Sequence, residues 1–221
     1  MKAMILAAGR GERMRPLSDV TPKPLLKVGN ETLIERHIRH LRQAGITEIV
    51  INLHHLGEQI ADHLGDGEAL GVQLQYSREP ELLETAGGIR RALPLIDPGS
   101  GPFLVVNGDL YTDFSFRHLP ALADNSLAYL YLVENPAHHK AGDFSIGDNG
   151  LLGLSGRCYT FSGIGLYKAA FFDGMREGAV MLRELMLAHI GAGRIQGALF
   201  EGFWSDVGTP ERLAALNHEF D

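Results

Sequence analysis

The residues with the clearest chemical potential lie near the amino terminus, in Leu6–Leu17 (LAAGRGERMRPL) and Thr21–Leu25 (TPKPL). Gly9 and Gly11 follow an apolar run, and small residues at such a point let backbone N–H groups approach a phosphate chain. Lys23 lies between two prolines, which restrict the backbone on both sides of it. A fixed cation beside a glycine loop favours phosphate-transfer chemistry, because negative charge develops on a leaving pyrophosphate.

Two other phosphate-binding motifs do not fit this segment. The dinucleotide fingerprint G-x-G-x-x-G requires glycine at position 14, which is Met14, and a proline-bearing loop follows instead of a helix. A Walker A loop is absent from the sequence. Taken alone, Lys23 is also compatible with a solvated lysine in a rigid surface loop.

A second candidate is Asn107-Gly108-Asp109, which follows the apolar run Phe103–Val106. Open α/β sheets bind ligands at the carboxyl ends of their strands, and a carboxylate there suits Mg²⁺ that bridges phosphates. The same three residue types are also favourable in a tight turn. The residues alone leave both interpretations open.

Two further candidates also have a plain structural interpretation. Phe203–Leu213 contains Trp204-Ser-Asp206, followed by Thr209 and a proline, which also predict a capped helix start. Leu83–Ile89 (LETAGGI) suits either a loop that approaches a nucleobase or a plain helix start at Thr85.

Two histidine pairs, His54-His55 and His138-His139, do not have the i, i+4 spacing of helical metal ligands. For these pairs we expect structural or surface roles.

The elements that must position these residues alternate between strand and helix over about 130 residues, which predicts a mostly parallel, doubly wound α/β sheet. Predicted strands cover 1–8, 46–53, 72–76, 102–106, 128–133, 159–167, 195–200 and 203–207. Predicted helices cover 32–44, 57–64, 85–93, 181–190 and 210–218, with a hairpin over 144–154 around Asp148-Asn149-Gly150. We expect one domain, 1–221, with a nucleotide-binding core (1–135) and a smaller, lid-like, sugar-binding part (136–221).

Composition and charge narrow the class of protein to which the chain can belong. The net charge is −7, yet the first 27 residues hold six basic and two acidic side chains, so we expect a focused anion site and no nucleic-acid partner. No segment is apolar enough to predict a membrane span or a secretory signal. Cys158 is the only cysteine, which excludes an internal disulfide and fits a reducing, cytoplasmic compartment.

Together, these motifs resemble the signature of the sugar-phosphate nucleotidylyltransferases, G-x-G-x-R-x-x-P followed by P-K-P, over nearly the whole chain. Within that family the sequence is most similar to the small N-acetylmuramate α-1-phosphate uridylyltransferases of bacterial peptidoglycan recycling. The resemblance implies a Rossmann-like fold and Mg²⁺-dependent joining of UTP to a sugar 1-phosphate. It also implies a monomer more readily than a large oligomer, with a dimer still open, because the chain ends soon after Trp204-Ser-Asp206.

The resemblance implies a role for each matching residue. The catalytic residues would be Lys23 and Arg13, and the metal ligands for Mg²⁺ would be Asp109 and Asp206. The nucleotide would contact Leu6, Ala8, Gly9, Gly11, Glu12, Arg13, Lys23, Gly87 and Gly88. The sugar phosphate would contact Asn107, Gly142 and Asp143.

Two alternatives remain. One is the same reaction with another base or sugar, such as guanylyl transfer to mannose 1-phosphate. The other is a non-catalytic nucleotide-sugar sensor on the same fold. Phe161–Ile164 (FSGI) and the absence of a Glu-Lys-Pro motif argue against glucose 1-phosphate, since small side chains would leave room for an N-acetyl group and a lactyl ether.

Overall fold

Strands and helices alternate along the first half of the chain, as the hydrophobic pattern predicts. The computed structural model describes residues 1–96, 99 and 101–220. Its strands are β1 (Ala3–Leu6), β2 (Lys27–Val28), β3 (Glu31–Thr32), β4 (Glu48–Leu53), β5 (Gln73–Arg78), β6 (Phe103–Asn107), β7 (Leu110–Thr112), β8 (Ala128–Val133), β9 (Phe144–Ile146), β10 (Leu152–Gly153), β11 (Cys158–Tyr167), β12 (Ile195–Leu199) and β13 (Trp204–Asp206). Its helices are α1 (Leu17–Val20), α2 (Leu33–Gln43), α3 (Gly57–Leu64), α4 (Glu84–Ile96), α5 (Leu182–Gly191) and α6 (Pro210–Phe220).

The main sheet has a parallel half and a mixed half. Strands β5, β4, β1 and β6 lie side by side and are parallel to one another. Strand β11 runs antiparallel to β6 and also pairs with β8 and β9, while β12 pairs with β8 in parallel. The prediction of a Rossmann-like, doubly wound sheet is confirmed, and the antiparallel pairings belong to the second part of the chain.

Helices cover both faces of the parallel half. Met4 packs in a buried cluster with Ile89 of α4 and Met186 of α5. Its neighbour Ile5 lies in a second cluster with Ile38 of α2 and Ile60 of α3. Successive strand residues point to opposite faces of a sheet, so this alternation buries β1 on both sides.

The sequence locates most elements within a few residues. Helix α3 has the predicted bounds, and the predicted hairpin forms between β9 and β10. Helix α2 begins one residue later than predicted, because Thr32 is its cap: Thr32 and Glu35 form a reciprocal capping box. Helix α4 was predicted to end at Leu93 but continues through Pro94 to Ile96.

Strands β13 and β7 form a separate, two-stranded sheet. Strand β13 pairs antiparallel with β7, so that Asp206 lies opposite Leu110. The backbone N–H of Val207 also donates to the carbonyl of Asp109, at 2.9 Å. The sequence alone cannot show that Asp109 and Asp206 are close in space. The pairing of β13 with β7 brings their backbones together.

Across residues 1–96, 99 and 101–220, no helix combines the length and the apolar character that crossing a bilayer requires.

A buried histidine makes the fold sensitive to acid. His37 of α2 is 1% exposed. Burial, and then the neighbouring charge of His40, lower the pKa of His37 to about 4. The unfolded chain therefore takes up a proton near pH 6.5, whereas the folded chain takes it up only near pH 4. Folding stability from this group is complete above the unfolded pKa and decreases as the pH falls from about 6.5 to about 4.

We therefore expect the free energy of unfolding to fall by about 2 kcal/mol through His37 between about pH 7.5 and about pH 5. His37→Leu should lose that part of the pH dependence, as measured by urea denaturation at both pH values. His118→Gln, at an exposed histidine, is the matched control. An unchanged pH dependence in His37→Leu would contradict the assignment.

Candidate active site

The carboxyl ends of three adjacent strands form the floor of the candidate site. Leu6 of β1 is aligned with Asn52 of β4 on one side and with Asn107 of β6 on the other. A cavity of about 430 Å³ opens above this row. Ligands bind at this edge of open α/β sheets, and here polar side chains follow buried strands.

Most of the predicted nucleotide-site residues line this cavity. They are Leu6, Ala8, Gly9, Gly11, Glu12, Arg13 and Lys23, and the predicted residues Asn107 and Asp109 also lie on its wall. The sequence therefore predicted residues on one wall of this cavity from two segments that are more than 80 residues apart in the chain.

The loop after β1 folds back on itself at Gly11. Gly11 has φ +62°, a left-handed conformation that favours glycine, and its carbonyl accepts a hydrogen bond from Ser18 Oγ at 2.8 Å. A Cβ atom on Gly11 would lie 3.2 Å from Ser18 Cβ. This compact turn returns the chain toward the cavity, where Lys23 follows.

Lys23 and Asp109 join the two segments. The ammonium group of Lys23 donates to Asp109 Oδ2, and the two side chains are 11% and 30% exposed. Both groups are partly buried, so solvent and salt screen their attraction less than they would on an open surface. The ion pair therefore holds a cation and a carboxylate at the same side of the cavity.

Asp206 lies on β13, whose pairing with β7 brings its backbone next to that of Asp109. Its Oδ1 atom accepts a hydrogen bond from Arg212, and His138 Nε2 lies 3.2 Å from the same oxygen. Asp206 itself is not among the residues that line the cavity, whereas Gly208, two residues later, is.

The donor set suits a metal that is shared with a substrate. In the described part of the chain, no group of three or more His, Cys, Asp and Glu side chains is arranged to hold a metal ion. Mg²⁺ usually takes one or two protein carboxylates, and its other ligands are substrate phosphates and water. Asp206, on β13, and Asp109, in the turn just before its partner strand β7, fit such a site.

Gly87 and Gly88 lie in the interior of the protein. Both are buried inside α4 and are not among the residues that line the cavity. A Cβ on Gly87 would lie 2.4 Å from the carbonyl oxygen of Gly178, and one on Gly88 would lie 2.5 Å from Glu79 Oε1. Close packing inside the protein explains both glycines, and their contact with a nucleobase stays a prediction.

The same segment reaches the cavity through Leu82, Glu84 and Thr85 instead. Glu84 begins α4 with φ +57°, which is uncommon for a residue with a side chain. Such strain tends to occur at ligand sites, where the surrounding structure holds it in place.

A second cavity of about 250 Å³ shares a wall with the first. Glu84, Thr85 and Asn107 line both. Asp143, predicted to contact the sugar phosphate, lines the second cavity, whereas Gly142 does not. Gly142 has φ +66° and packs against the backbone of Cys158, so it supports the chain that carries Asp143.

The wall of the second cavity gives no support to the expectation that small residues in Phe161–Ile164 enlarge a sugar site. Of these residues only Phe161 lines the second cavity. Ser162 is buried, and its hydroxyl donates to the carbonyl of Tyr131 at 2.7 Å. Gly163 instead makes room for Asn107, because a Cβ there would lie 2.5 Å from Asn107 Nδ2.

Sequence reasoning missed two buried polar residues on the wall of the first cavity. Asn52 Oδ1 accepts from the N–H of Ala7 at 2.8 Å, and Asn52 Nδ2 donates to Glu79 Oε1 at 2.8 Å. Glu79 Oε2 accepts from the N–H of Leu83 at 3.1 Å. The available signal was a single asparagine inside the apolar run EIVINL, since a buried polar group needs partners.

The predicted surface role of His138 and His139 also needs refinement. Both are partly exposed, but each contacts a site carboxylate: His138 contacts Asp206, and His139 Nε2 lies 3.3 Å from Asp143 Oδ1.

Comparisons with known proteins agree with this geometry. The profile of the family described as Nucleotidyl transferase matches residues 2–144. The chain is 50% identical to an N-acetylmuramate alpha-1-phosphate uridylyltransferase from Neisseria meningitidis, over 96% of this chain and 95% of that protein. It is 29% identical to a mannose-1-phosphate guanyltransferase from Gibberella zeae, over 96% of this chain but only 62% of that protein.

A solved structure gives the same fold. HddC from Yersinia pseudotuberculosis, in complex with GMP-PN, superimposes with a TM-score of 0.81 at 21% identity, covering 100% of this chain and 99% of that one. The whole-length sequence match and the family profile, together with the phosphate-type loop at the sheet edge, lead to one conclusion: the chain belongs to the nucleotidyl transferase family.

Proposed function

We propose that the enzyme joins UTP to N-acetylmuramic acid 1-phosphate, giving the UDP-sugar and pyrophosphate. The observation that carries the proposal is the junction of the two cavities at Asn107, with Lys23 and Asp109 on the wall of the first. A nucleoside triphosphate in the first cavity and a sugar phosphate in the second would meet at this junction.

The reaction is an in-line substitution at phosphorus. A phosphate oxygen of the sugar forms a bond to the α-phosphorus as the bond to the β-phosphate oxygen breaks, and that electron pair leaves with pyrophosphate. The second pKa of a phosphate monoester is about 6, so the nucleophile is already ionised near neutral pH. Positioning and charge stabilisation therefore suffice, and no general base is required.

Lys23 and Arg13 would provide that charge stabilisation. Lys23, fixed by its ion pair, would contact the α-phosphate, and the exposed Arg13 at the cavity rim would contact the β- and γ-phosphates. The remaining predicted nucleotide contacts lie at the end of β1 and in the loop after it, and would surround the triphosphate through their backbone: Leu6, Ala8, Gly9, Gly11 and Glu12.

The charge balance of the cavity supports a divalent cation. The wall carries four carboxylates, Glu12, Glu79, Glu84 and Asp109, against the two cations Arg13 and Lys23. A polyanionic triphosphate would add further negative charge. We propose that Asp109 and Asp206 hold Mg²⁺, which when bound would neutralise and orient the phosphates.

The sugar phosphate would occupy the second cavity, near Asn107 and Asp143, with Gly142 supporting the latter. In this scheme residues 1–135 bind the nucleotide and residues 136–221 bind the sugar and cover it. The choice of UTP and of the muramyl sugar rests on the Neisseria relative. This substrate would place the enzyme in peptidoglycan recycling in the cytoplasm, and we propose that it acts as a monomer.

A guanylyltransferase acting on mannose 1-phosphate is the second candidate, favoured by relatives such as the one from Gibberella zeae. A non-catalytic sensor is disfavoured because Lys23, Asp109 and Asp206 are all retained.

The first prediction concerns substrates. In a panel of four nucleoside triphosphates and several sugar 1-phosphates, pyrophosphate release should have its highest kcat/KM with UTP and N-acetylmuramic acid 1-phosphate. Greater efficiency with GTP and mannose 1-phosphate would favour the second candidate. Absence of pyrophosphate release with every pair would support a sensor.

The second prediction concerns Lys23. Lys23→Ala should lower kcat on the order of 100-fold or more, because one preorganised charge contact to the transition state is lost. Lys27→Ala, at an exposed lysine four residues later, is the matched control and should leave kcat near that of the wild type. A normal kcat in the folded Lys23→Ala protein would remove Lys23 from the mechanism.

The third prediction concerns Asp109 and Asp206. Asp109→Asn and Asp206→Asn should each raise the Mg²⁺ concentration needed for half-maximal activity. Their combined loss should be less than additive, because residues of one metal site fail together. Asp113→Asn, at an exposed carboxylate beyond β7, is the control. Fully additive losses would argue against a shared ion.

A further inference from the structure

The second cavity combines a largely apolar wall with a single cation. Half of its lining residues are apolar: Phe144, Phe161, Met181, Leu182 and Met186. Arg183 is the one cation among the residues that line it. Methyl-bearing substituents and an anion would match such a wall, because apolar groups pack against apolar side chains and a guanidinium group with free donors attracts a carboxylate.

Arg183 is held on one edge only. Its Nη1 atom donates to Asp143 Oδ1 at 2.8 Å, and its guanidinium carbon lies 5.6 Å from the ring centroid of Phe144. Among the described residues, Nε and Nη2 of Arg183 have no hydrogen-bond partner, and the side chain is 54% exposed. The guanidinium fork therefore keeps donors free for a planar carboxylate.

The carboxylate of Asp143 holds Arg183 in this orientation. Its Oδ2 atom accepts from the N–H of Phe161 at 3.0 Å, and its Oδ1 atom receives Arg183 and lies 3.3 Å from His139 Nε2. Both carboxylate oxygens thus have protein partners on three different segments. Asp143 is well placed to act as a positioning residue that orients Arg183.

From this geometry we infer that Arg183 recognises the lactyl carboxylate of the sugar substrate, while the surrounding apolar side chains receive its methyl groups. The inference rests on the proposed function and names the contact that would set its sugar specificity. N-Acetylglucosamine 1-phosphate has the same ring and N-acetyl group but no lactyl ether. The two sugars therefore differ at the group that Arg183 would bind.

The test compares both sugar phosphates at saturating UTP in the wild-type protein and in Arg183→Met, which keeps an unbranched apolar stem but removes the guanidinium group and its charge. For N-acetylmuramic acid 1-phosphate we expect KM to rise about 10- to 100-fold with little change in kcat, as for loss of a charged hydrogen bond. N-Acetylglucosamine 1-phosphate is scored both as a substrate and as a competitive inhibitor, and its constants should stay within experimental scatter.

Two further variants make the result specific. Arg183→Lys should restore only part of the affinity, because a point charge cannot form the two parallel hydrogen bonds of a guanidinium fork. Arg157→Met is the matched control, since Arg157 is an exposed arginine paired with Glu134 and lines neither cavity. Retained UTP binding in Arg183→Met, measured by calorimetry, shows that the fold is intact. Arg183→Gln is measured in parallel as a second neutral variant.

The outcomes separate the two proposals. A wild-type protein that does not use N-acetylmuramic acid 1-phosphate overturns the proposed function, and this inference with it. A wild-type protein that does use it, combined with an Arg183→Met protein that binds it normally or loses both sugars equally, overturns the inference alone.

Discussion

The parallel pairing of β1 with β4 and β6 is the constraint on which the candidate site depends. It aligns Leu6, Asn52 and Asn107 at one edge of the sheet. The alignment continues past the strands, since the N–H of Gly108 donates to the carbonyl of Leu6 at 2.9 Å. A Cβ on Gly108 would lie 2.6 Å from that oxygen, so a side chain there would push the two segments apart. Asp109 would then move away from Lys23, and the two halves of the site would separate.

Charge is arranged around this framework so that each key carboxylate has a cationic partner. Asp109 contacts Lys23, Asp206 contacts Arg212, and Asp143 contacts Arg183. These pairs are partly exposed, so each adds little to the free energy of unfolding. Their effect is geometric, because they fix the directions of charged side chains before any ligand arrives. Such preorganisation lowers the cost of reaching a transition state in which charge is redistributed.

The sequence predicted what local patterns determine, namely the element types, the glycine loop, the Asn-Gly-Asp turn and the wall they form. It did not predict Asn52 or Glu79, because their importance arises from pairing between distant strands. Gly88 and Gly163 show a second limit. A glycine that approaches a ligand and a glycine that approaches another protein segment have the same letter, and only the three-dimensional neighbours distinguish them. In both cases the neighbour is a polar side chain of the site, Glu79 or Asn107.

The wall that the two cavities share at Glu84, Thr85 and Asn107 has a consequence after bond formation. Two separate reactants each lose translational and rotational freedom on binding, whereas a joined product that fills both cavities loses it once. Each half of the product also holds the other at a high effective concentration. The product should therefore bind more tightly than either reactant alone, and its dissociation would limit the rate of turnover. If the second part of the chain covers the sugar as proposed, its opening would then limit the rate of the catalytic cycle.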